Sequence, residues 1–337
     1  MRENTKSMNN QQARINNLTK RLKNEQRRNR QLGVENSFLN QRSLELGKLK
    51  LSPLLKSRTI LMCDSANFSD FFGYIDRELL DVKIPIVDFP DIVISNFEVF
   101  FISRMHQYSK LELNGELVTL KSIKQHLQYS ERKMQTLLSY ESKILKFVGE
   151  HSNIVKQIAL SITEDFGPCL ILEYISKVNL SHYLQRVRSI NSYFVKDFVF
   201  GLADAVSHIH ENGILHNFIT SESIYLDSKN DPVLTEFSFA CRTSSTKCLT
   251  IFQQKLFEKS NHLPTAVKNG CIAPSCSSDY YSFGVVLGSL VRKSKDNPNL
   301  FSKRLMNLVR PCMALDFFTD IVKFKSKVVD EIKGLAQ

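Results

Sequence analysis

The chain has 337 residues, of which 42% are hydrophobic and 10% aromatic, a composition typical of a globular protein with a sizeable core. Its formal net charge is +11, of which residues 1–50 carry +8 through twelve Lys and Arg against four Glu. The seven cysteines form no CxxC pair and no metal-ligand spacing, which excludes a disulfide framework and a zinc site and favours free thiols.

Residues 1–50 predict a basic helical arm that forms a short coiled coil. Leucines recur at heptad spacing, and a second core position is partly polar. The leucines are Leu18, Leu32, Leu39 and Leu46. The polar residues Asn29 and Asn36 in the seam, together with Gly33, weaken the pairing. We expect the arm to bind other proteins or to form a homodimer.

The arm's charge also suggests a nucleic-acid-binding zipper, an alternative in which the arm reads DNA. A basic zipper keeps its basic region ahead of the heptads. Here the basic residues, among them Lys20, Arg27 and Arg30, lie inside the heptads. This pattern argues against nucleic acid as the partner.

The sequence lacks the features of a secreted or membrane-spanning protein. Its first residues, MRENTKSMNNQQ, have no apolar core of a signal peptide. The longest nearly uncharged apolar run, Tyr280–Val291, is too short to cross a bilayer and predicts a buried helix. We therefore expect a cytoplasmic protein with no transmembrane segment.

Residues 51–95 predict a connector with one short helix, interrupted by Pro53, Pro85 and Pro90. Residues 96–175 then alternate like strands, with Asn114–Gly115 as a hairpin turn, and include a helix with an apolar stripe in SERKMQTLLSYESKILKFV. Residues 176–337 are mostly helical, with a shortened region after the buried helix. Strands followed by helices predict an α+β protein of two unequal lobes.

Several short motifs in this order resemble the protein kinase family, from about Phe97 to Ile332. The motifs are VTLK ending at Lys121, YESKILKFV with Glu141, EHSNIV, LILEYI with Leu172, GILHNF, LTEFSFA and CIAPSCSSDYYSFGVVL. Phrases such as NLSHYL and DYYSFGVVL resemble the tyrosine-kinase-like branch, which includes mixed-lineage kinases and their inactive relatives. The resemblance implies a bilobal kinase-like fold.

Within the family pattern, Lys121 and Glu141 stand at the positions of the phosphate-binding lysine and its helix glutamate, and Leu172 at the gatekeeper of the nucleotide cleft. Phosphoryl transfer also needs a glycine-rich loop over the phosphates. Here the corresponding stretch is ISRMHQYSK, without a glycine. We therefore expect a vestigial nucleotide cleft that requires no cofactor and binds ATP weakly or without Mg²⁺.

The catalytic positions of the family pattern are degenerate in this chain. The H-R-D motif is His216, Asn217 and Phe218, and a phenyl ring cannot accept a proton. Ser223 stands at the second-metal asparagine. Glu236 replaces the metal-binding aspartate and would ligate Mg²⁺ only in an active enzyme.

Two further features complete the site prediction. The resemblance gives Asp279 a structural role, bracing the catalytic-loop backbone. The long activation-like segment, residues 241–272, offers a cluster of candidate phosphorylation sites beside Arg242 and Lys247. The cluster consists of Thr243, Ser244, Ser245 and Thr246.

The sequence thus predicts a pseudokinase: not an enzyme, but a scaffold or allosteric signalling partner that works through its arm and its kinase-like surface. An alternative is a weakly active, atypical Ser/Thr or Tyr kinase that binds ATP through Lys121 and Glu236. A third hypothesis is the coiled-coil nucleic-acid-binding protein.

Overall fold

The structure is a computed structural model that describes residues 94–103, 105–113, 115–124, 131–163, 167–293, 301–314 and 320–333. The predicted arm, residues 1–50, lies outside these residues, and so does the connector up to residue 93. The coiled coil, the homodimer and the nucleic-acid hypothesis therefore stay predictions.

The first half of the described chain forms a five-stranded antiparallel sheet, the small lobe. Its strands are β1 (Ile94–Ile102), β2 (His106–Leu113), β3 (Glu116–Ile123), β4 (Gln157–Thr163) and β5 (Gly167–Glu173). They lie in the order β1-β2-β3-β5-β4. Leu113 pairs with Glu116 across a two-residue connection. Gly115 in this turn has a φ of 85°, which explains why the sequence places glycine there.

The helix α1 (Glu131–Val148) packs on one face of this sheet. Its predicted apolar stripe is confirmed, because Leu138, Ile144 and Val148 are buried at 3.6-residue spacing. Met134, at the beginning of the stripe, is partly buried against the same core. This packing fixes the position of Glu141 relative to β3.

The second half of the described chain is helical and forms the large lobe. Its helices are α2 (Leu180–Arg186), α3 (Ser192–Glu211), α4 (Ile251–Phe257), α5 (Thr265–Lys268), α6 (Cys276–Lys293), α7 (Phe301–Met313) and α8 (Ile321–Lys333). Asn179 caps α2 by accepting from the amide of His182, and Asn191 caps α3 by accepting from the amide of Phe194. The α+β, two-lobed prediction is confirmed.

The core of the large lobe forms where α3, α6 and α8 meet. Phe198, Phe283 and Phe324 are all fully buried there. The rings of Tyr280 and Phe324 stack with centroids 4.4 Å apart. Within the described residues, no helix is both long and apolar enough to cross a membrane.

Four short strands lie between the lobes and carry the loops of the candidate site. They are β6 (Ile214–Leu215), β7 (Ile224–Leu226), β8 (Pro232–Leu234) and β9 (Cys241–Arg242). β6 pairs with β9, and β7 pairs with β8. These pairings hold residues 216–223 and 236–240 next to each other.

Candidate functional site

A buried ion pair links β3 to α1 within the small lobe. Lys121 Nζ in β3 lies 2.6 Å from Glu141 Oε2 and 2.7 Å from Oε1 in α1, and both side chains are at most 1% exposed. Burial opposes the charged carboxylate, but the neighbouring Lys121 ammonium lowers the pKa of Glu141 overall. Burial lowers the pKa of Lys121 in turn, although the Glu141 carboxylate opposes this shift. The contact between Lys121 and Glu141 that the sequence predicted is present.

Ser238 and His106 extend this ion pair, and the sequence analysis missed both. The Ser238 hydroxyl donates to Glu141 Oε2 at 2.8 Å and accepts from Lys121 Nζ at 3.1 Å. The Phe237 amide donates to Glu141 Oε1 at 3.0 Å. A serine in place of the family's glycine thus ties the metal-binding turn to the ion pair. The only sequence signal was the hydroxyl itself.

Glu236 lies at the edge of the same network in a left-handed conformation, with φ 68°. Its Oε1 is 3.4 Å from Lys121 Nζ, and its Oε2 is 3.3 Å from His106 Nδ1. Oε1 makes this ionic contact without a hydrogen bond. His106 therefore occupies the side of Glu236 that a glycine-rich loop would leave open.

Of the two residues at the family's metal positions, Ser223 bonds to its own loop and Glu236 offers a single carboxylate. The Ser223 hydroxyl donates to the carbonyl of Phe218 at 2.7 Å and accepts from the amide of Thr220 at 2.9 Å, so it serves the loop's own backbone. Among the described residues, no group of three His, Cys, Asp or Glu side chains could hold a metal ion. Glu236 would supply one carboxylate to a Mg²⁺ ion whose other ligands would be phosphates and water.

Phe218 packs in an aromatic cluster at the position of the family's catalytic base. Its ring centroid lies 5.3 Å from Phe239, 5.6 Å from Phe257 and 5.1 Å from the imidazole of His262. Phe257 and His262 belong to the activation-like segment. The ring that replaces the base is therefore a packing contact between the catalytic loop and that segment.

The backbone of the catalytic loop is braced as the resemblance implies. Asp279 accepts from the amide of His216 at 2.8 Å and from the amide of Asn217 at 2.9 Å. His210 contributes a third contact, 2.9 Å from Asp279. Burial opposes charge on His210, but its hydrogen bond to Asp279 raises its pKa to about 9.

His216 and Asn217 have structural partners. His216 is fully buried, its Nε2 donates to the carbonyl of Thr235 at 2.9 Å, and burial lowers its pKa to about 4. The side-chain amide of Asn217 donates to the carbonyl of Phe239 at 3.0 Å and to Cys241 Sγ at 3.2 Å. A neutral amide thus holds the segment where the family pattern has an arginine.

Aromatic side chains fill the cleft between the lobes. Tyr108 from β2 lies with its ring centroid 5.8 Å from Phe101 of β1 and 6.4 Å from Tyr225 of β7. Phe100 also lies 6.4 Å from Tyr225. The cavity that Leu172 lines measures about 20 Å³. This is smaller than the usual range of ligand pockets, about 300–1,000 Å³.

The four candidate phosphorylation sites follow β9 directly. Thr243, Ser244 and Thr246 are exposed, and Ser245 is partly buried. The amide of Thr243 donates to the carbonyl of Gly213 at 2.8 Å. Their accessibility is compatible with modification, which stays a prediction.

Residues 108–335 match the family model described as "Protein kinase domain". The chain belongs to the protein kinase family. The match covers most of this kinase domain, from β2 through α8. The assignment to the tyrosine-kinase-like branch stays a prediction.

Similar proteins include "Serine/threonine-protein kinase SSK22" of Saccharomyces cerevisiae, 26% identical over 43% of this chain and 11% of that protein. "Mitogen-activated protein kinase kinase kinase A" of Dictyostelium discoideum is 24% identical over 59% of this chain and 23% of that protein. "MAP kinase kinase kinase SSK2" of Saccharomyces cerevisiae is 27% identical over 36% of this chain and 8% of that protein. The chain thus spans less than a quarter of the length of these relatives.

These relationships correct one prediction. The sequence analysis expected that the chain is not an enzyme, and this expectation is wrong, because the matched model and the named relatives are those of protein kinases. No finding supports catalytic inactivity. The geometry of the site therefore concerns the rate and the mechanism of any phosphoryl transfer by this kinase domain.

Proposed function

We propose that this kinase domain acts mainly as a scaffold or allosteric partner of other signalling proteins, and that its phosphoryl transfer is slow. The observation that carries the proposal is Phe218, packed against Phe239 and Phe257 where a carboxylate would accept the substrate proton. General-base catalysis contributes typically about 10²–10⁴-fold to a rate. A phenyl ring forfeits that contribution at every pH.

The closed cleft supports the same proposal. Phe100, Tyr108 and Tyr225 line the cavity beside Leu172, and His106 contacts Glu236 where the phosphates would approach. The side chains that hold the lobes together would have to move before a nucleotide could enter. We therefore expect ATP to bind weakly and without a requirement for Mg²⁺.

The domain's ordered surface supports a role in binding proteins. In front of Phe218 lies an open groove of about 320 Å³, lined by both lobes and by the activation-like segment, with Leu256 and Lys259 on its wall. Asn217 and the aromatic cluster hold that segment in place through neutral groups. A partner would thus meet a preformed surface that needs no phosphorylation to become ordered.

Proximity labelling in cells tests the proposal with two variants of the full chain. Glu236→Gln is isosteric and removes the one carboxylate that could serve a metal. We expect it to label the same neighbouring proteins as the native chain. Deletion of residues 1–50 should remove those neighbours that the arm recruits. A labelling pattern identical to that of a freely diffusing control would contradict the scaffold role.

A slow, atypical protein kinase is the second candidate, and the intact Lys121–Glu141 pair with Asp279 bracing the loop favours it. It predicts transfer of the γ-phosphate of ATP that both Lys121→Met and Glu236→Gln abolish. Transfer that survives both substitutions would come from a contaminating enzyme. That result would remove the second candidate and leave the first untouched.

A further inference from the structure

The sheet of the small lobe has two faces, and only one of them packs on α1. Lys121 and Leu172 lie on the inner face, toward α1 and the cleft. The strand register places the alternate residues on the opposite, outer face. The outer face consists of Ser109, Leu111, Val118, Leu120, Ala159, Ser161, Cys169 and Ile171.

The side chains of the outer face are as inaccessible to solvent as those in the core of the large lobe. Leu120 and Cys169 are 0% exposed, Leu111 is 1% and Ile171 is 2%. The apolar residues of this face form a cluster of their own, separate from the main core. Among the described residues, the hydrophobic side chains packed against the cluster are Phe97 and Leu113, which belong to the sheet itself.

A sheet cannot bury its own face, because the side chains on an uncovered face remain exposed to solvent at their ends. Sheets reach this degree of burial when another layer packs about 10 Å away. Among the described helices, α1 packs on the sheet, and it lies on the inner side. The outer face therefore needs a covering layer from elsewhere.

We propose that residues 51–93 of the same chain form this layer and dock on the outer face. The segment runs directly into β1, so one of its ends is fixed at the edge of the sheet. Of its 43 residues, 22 are apolar, a larger share than the 42% of the whole chain. About five extended residues suffice to cross the four strands from β2 to β4.

The charge pattern favours this segment over the arm. Residues 51–93 hold seven Asp and Glu against four Lys and Arg, whereas the arm holds twelve basic residues against four Glu and has its leucines at heptad spacing. Docking of the connector would anchor the arm to the sheet that carries Lys121. Binding of a partner to the arm would then be transmitted to the candidate site through Leu120, the neighbour of Lys121. This inference does not depend on the proposed rate of phosphoryl transfer.

Cys169 reports on the covering layer in the full, native chain. It lies on the outer face, while Cys248 and Cys271 are exposed and serve as internal standards. We expect a maleimide probe, followed by mass spectrometry, to modify Cys169 at least about 100-fold more slowly than Cys248. Modification of Cys169 as fast as Cys248, in a chain whose circular dichroism is native, would overturn the proposal.

Photo-cross-linking identifies the occupant. A diazirine analogue of leucine at Leu113, on the rim of the outer face, should cross-link to residues 51–93. The same analogue at Leu117, which is 45% exposed on the opposite face of the sheet, is the matched control and should not. A mixture of isotopically light and heavy chains distinguishes the source of the segment. Cross-links within one label support the proposal. Cross-links between labels would assign the cover to a second copy, and cross-links to other segments or proteins would also overturn it.

Discussion

Phe218 stands at the end of β6, where its ring contacts Phe239, Phe257 and His262. The loop around it keeps the shape that the kinase family uses, because Asp279 holds the amides of His216 and Asn217. Phe218 therefore makes a packing contact at the position where the family pattern has an aspartate.

Replacing this ring with a carboxylate should cost stability without restoring fast catalysis. We expect Phe218→Asp to lower the free energy of unfolding by about 2–4 kcal/mol, because it removes aromatic contacts and places a charge beside apolar rings. Phe218→Leu, which keeps an apolar side chain, should lose about half as much. Urea denaturation measures both. A Phe218→Asp variant as stable as the native chain would show that the ring is not a packing element.

The Lys121–Glu141 pair should show strong coupling in a double-mutant cycle. Removing one partner leaves a buried charge uncompensated, so Lys121→Met and Glu141→Leu should each cost about 3–5 kcal/mol. The double variant should cost clearly less than the sum of the two. Additive losses in the same denaturation experiment would mean that solvent reaches the pair.

The activation-like segment is held in place by hydrogen bonds that require no phosphate group. Asn217 bonds to Phe239 and Cys241, His262 contacts the carbonyl of Asn217 at 3.2 Å, and Thr250 begins α4 with a capping box to Gln253. All these groups are neutral when His262 is uncharged. Burial lowers the pKa of His262 to about 4, which keeps it so at neutral pH.

Asn217→Ala should loosen the beginning of this segment. The substitution removes the bonds to the carbonyl of Phe239 and to Cys241 Sγ, so amide hydrogen exchange of residues 239–243 should accelerate by about 10-fold or more. Asn191→Ala removes a helix cap in the same lobe and is the control, since it should leave this exchange unchanged. Equal exchange in both variants and the native chain would argue against the role of Asn217.

The sequence predicted those elements whose signal is local. The hairpin at Gly115 and the apolar stripe of α1 depend on residues a few positions apart. The pairing of Lys121 with Glu141 came from the family pattern. By contrast, Ser238 reaches Glu141 across 97 positions and Tyr108 meets Tyr225 across the cleft, so no periodicity could reveal either contact. Tyr108 in ISRMHQYSK, the stretch that stands in place of a glycine-rich loop, was the one available hint that side chains fill the cleft.

Across the whole molecule, three buried histidines predict how stability depends on pH. His216 and His262 have pKa values lowered to about 4 by burial, so the unfolded chain binds more protons than the folded one between about pH 6.5 and 4. Stability should therefore fall as the pH drops through this window. Each histidine contributes up to about 3 kcal/mol.

His210 has the opposite sign. Its pKa is raised to about 9 by Asp279, so its contribution is complete below about pH 6.5 and is lost as the pH rises through 9. The free energy of unfolding should thus pass through a maximum near neutral pH. Denaturation between pH 4.5 and 9.5 measures it, and His262→Asn should flatten the acid side alone. A profile without the alkaline decline would contradict the charged His210–Asp279 pair.

Side chains of both lobes pack together where the two lobes meet. Tyr108 and Phe101 of the small lobe pack against Tyr225 of the large lobe, and Phe218 joins the catalytic loop to the activation-like segment.

The central claim is that these contacts retain the kinase architecture while they slow phosphoryl transfer. The most direct measurement is the initial rate at which the purified full chain transfers labelled γ-phosphate from Mg²⁺–ATP to a protein substrate. Typical protein kinases turn over at about 1–100 s⁻¹. We predict a rate at least about 1,000-fold below that range, and a rate within it that Glu236→Gln abolishes would contradict the claim.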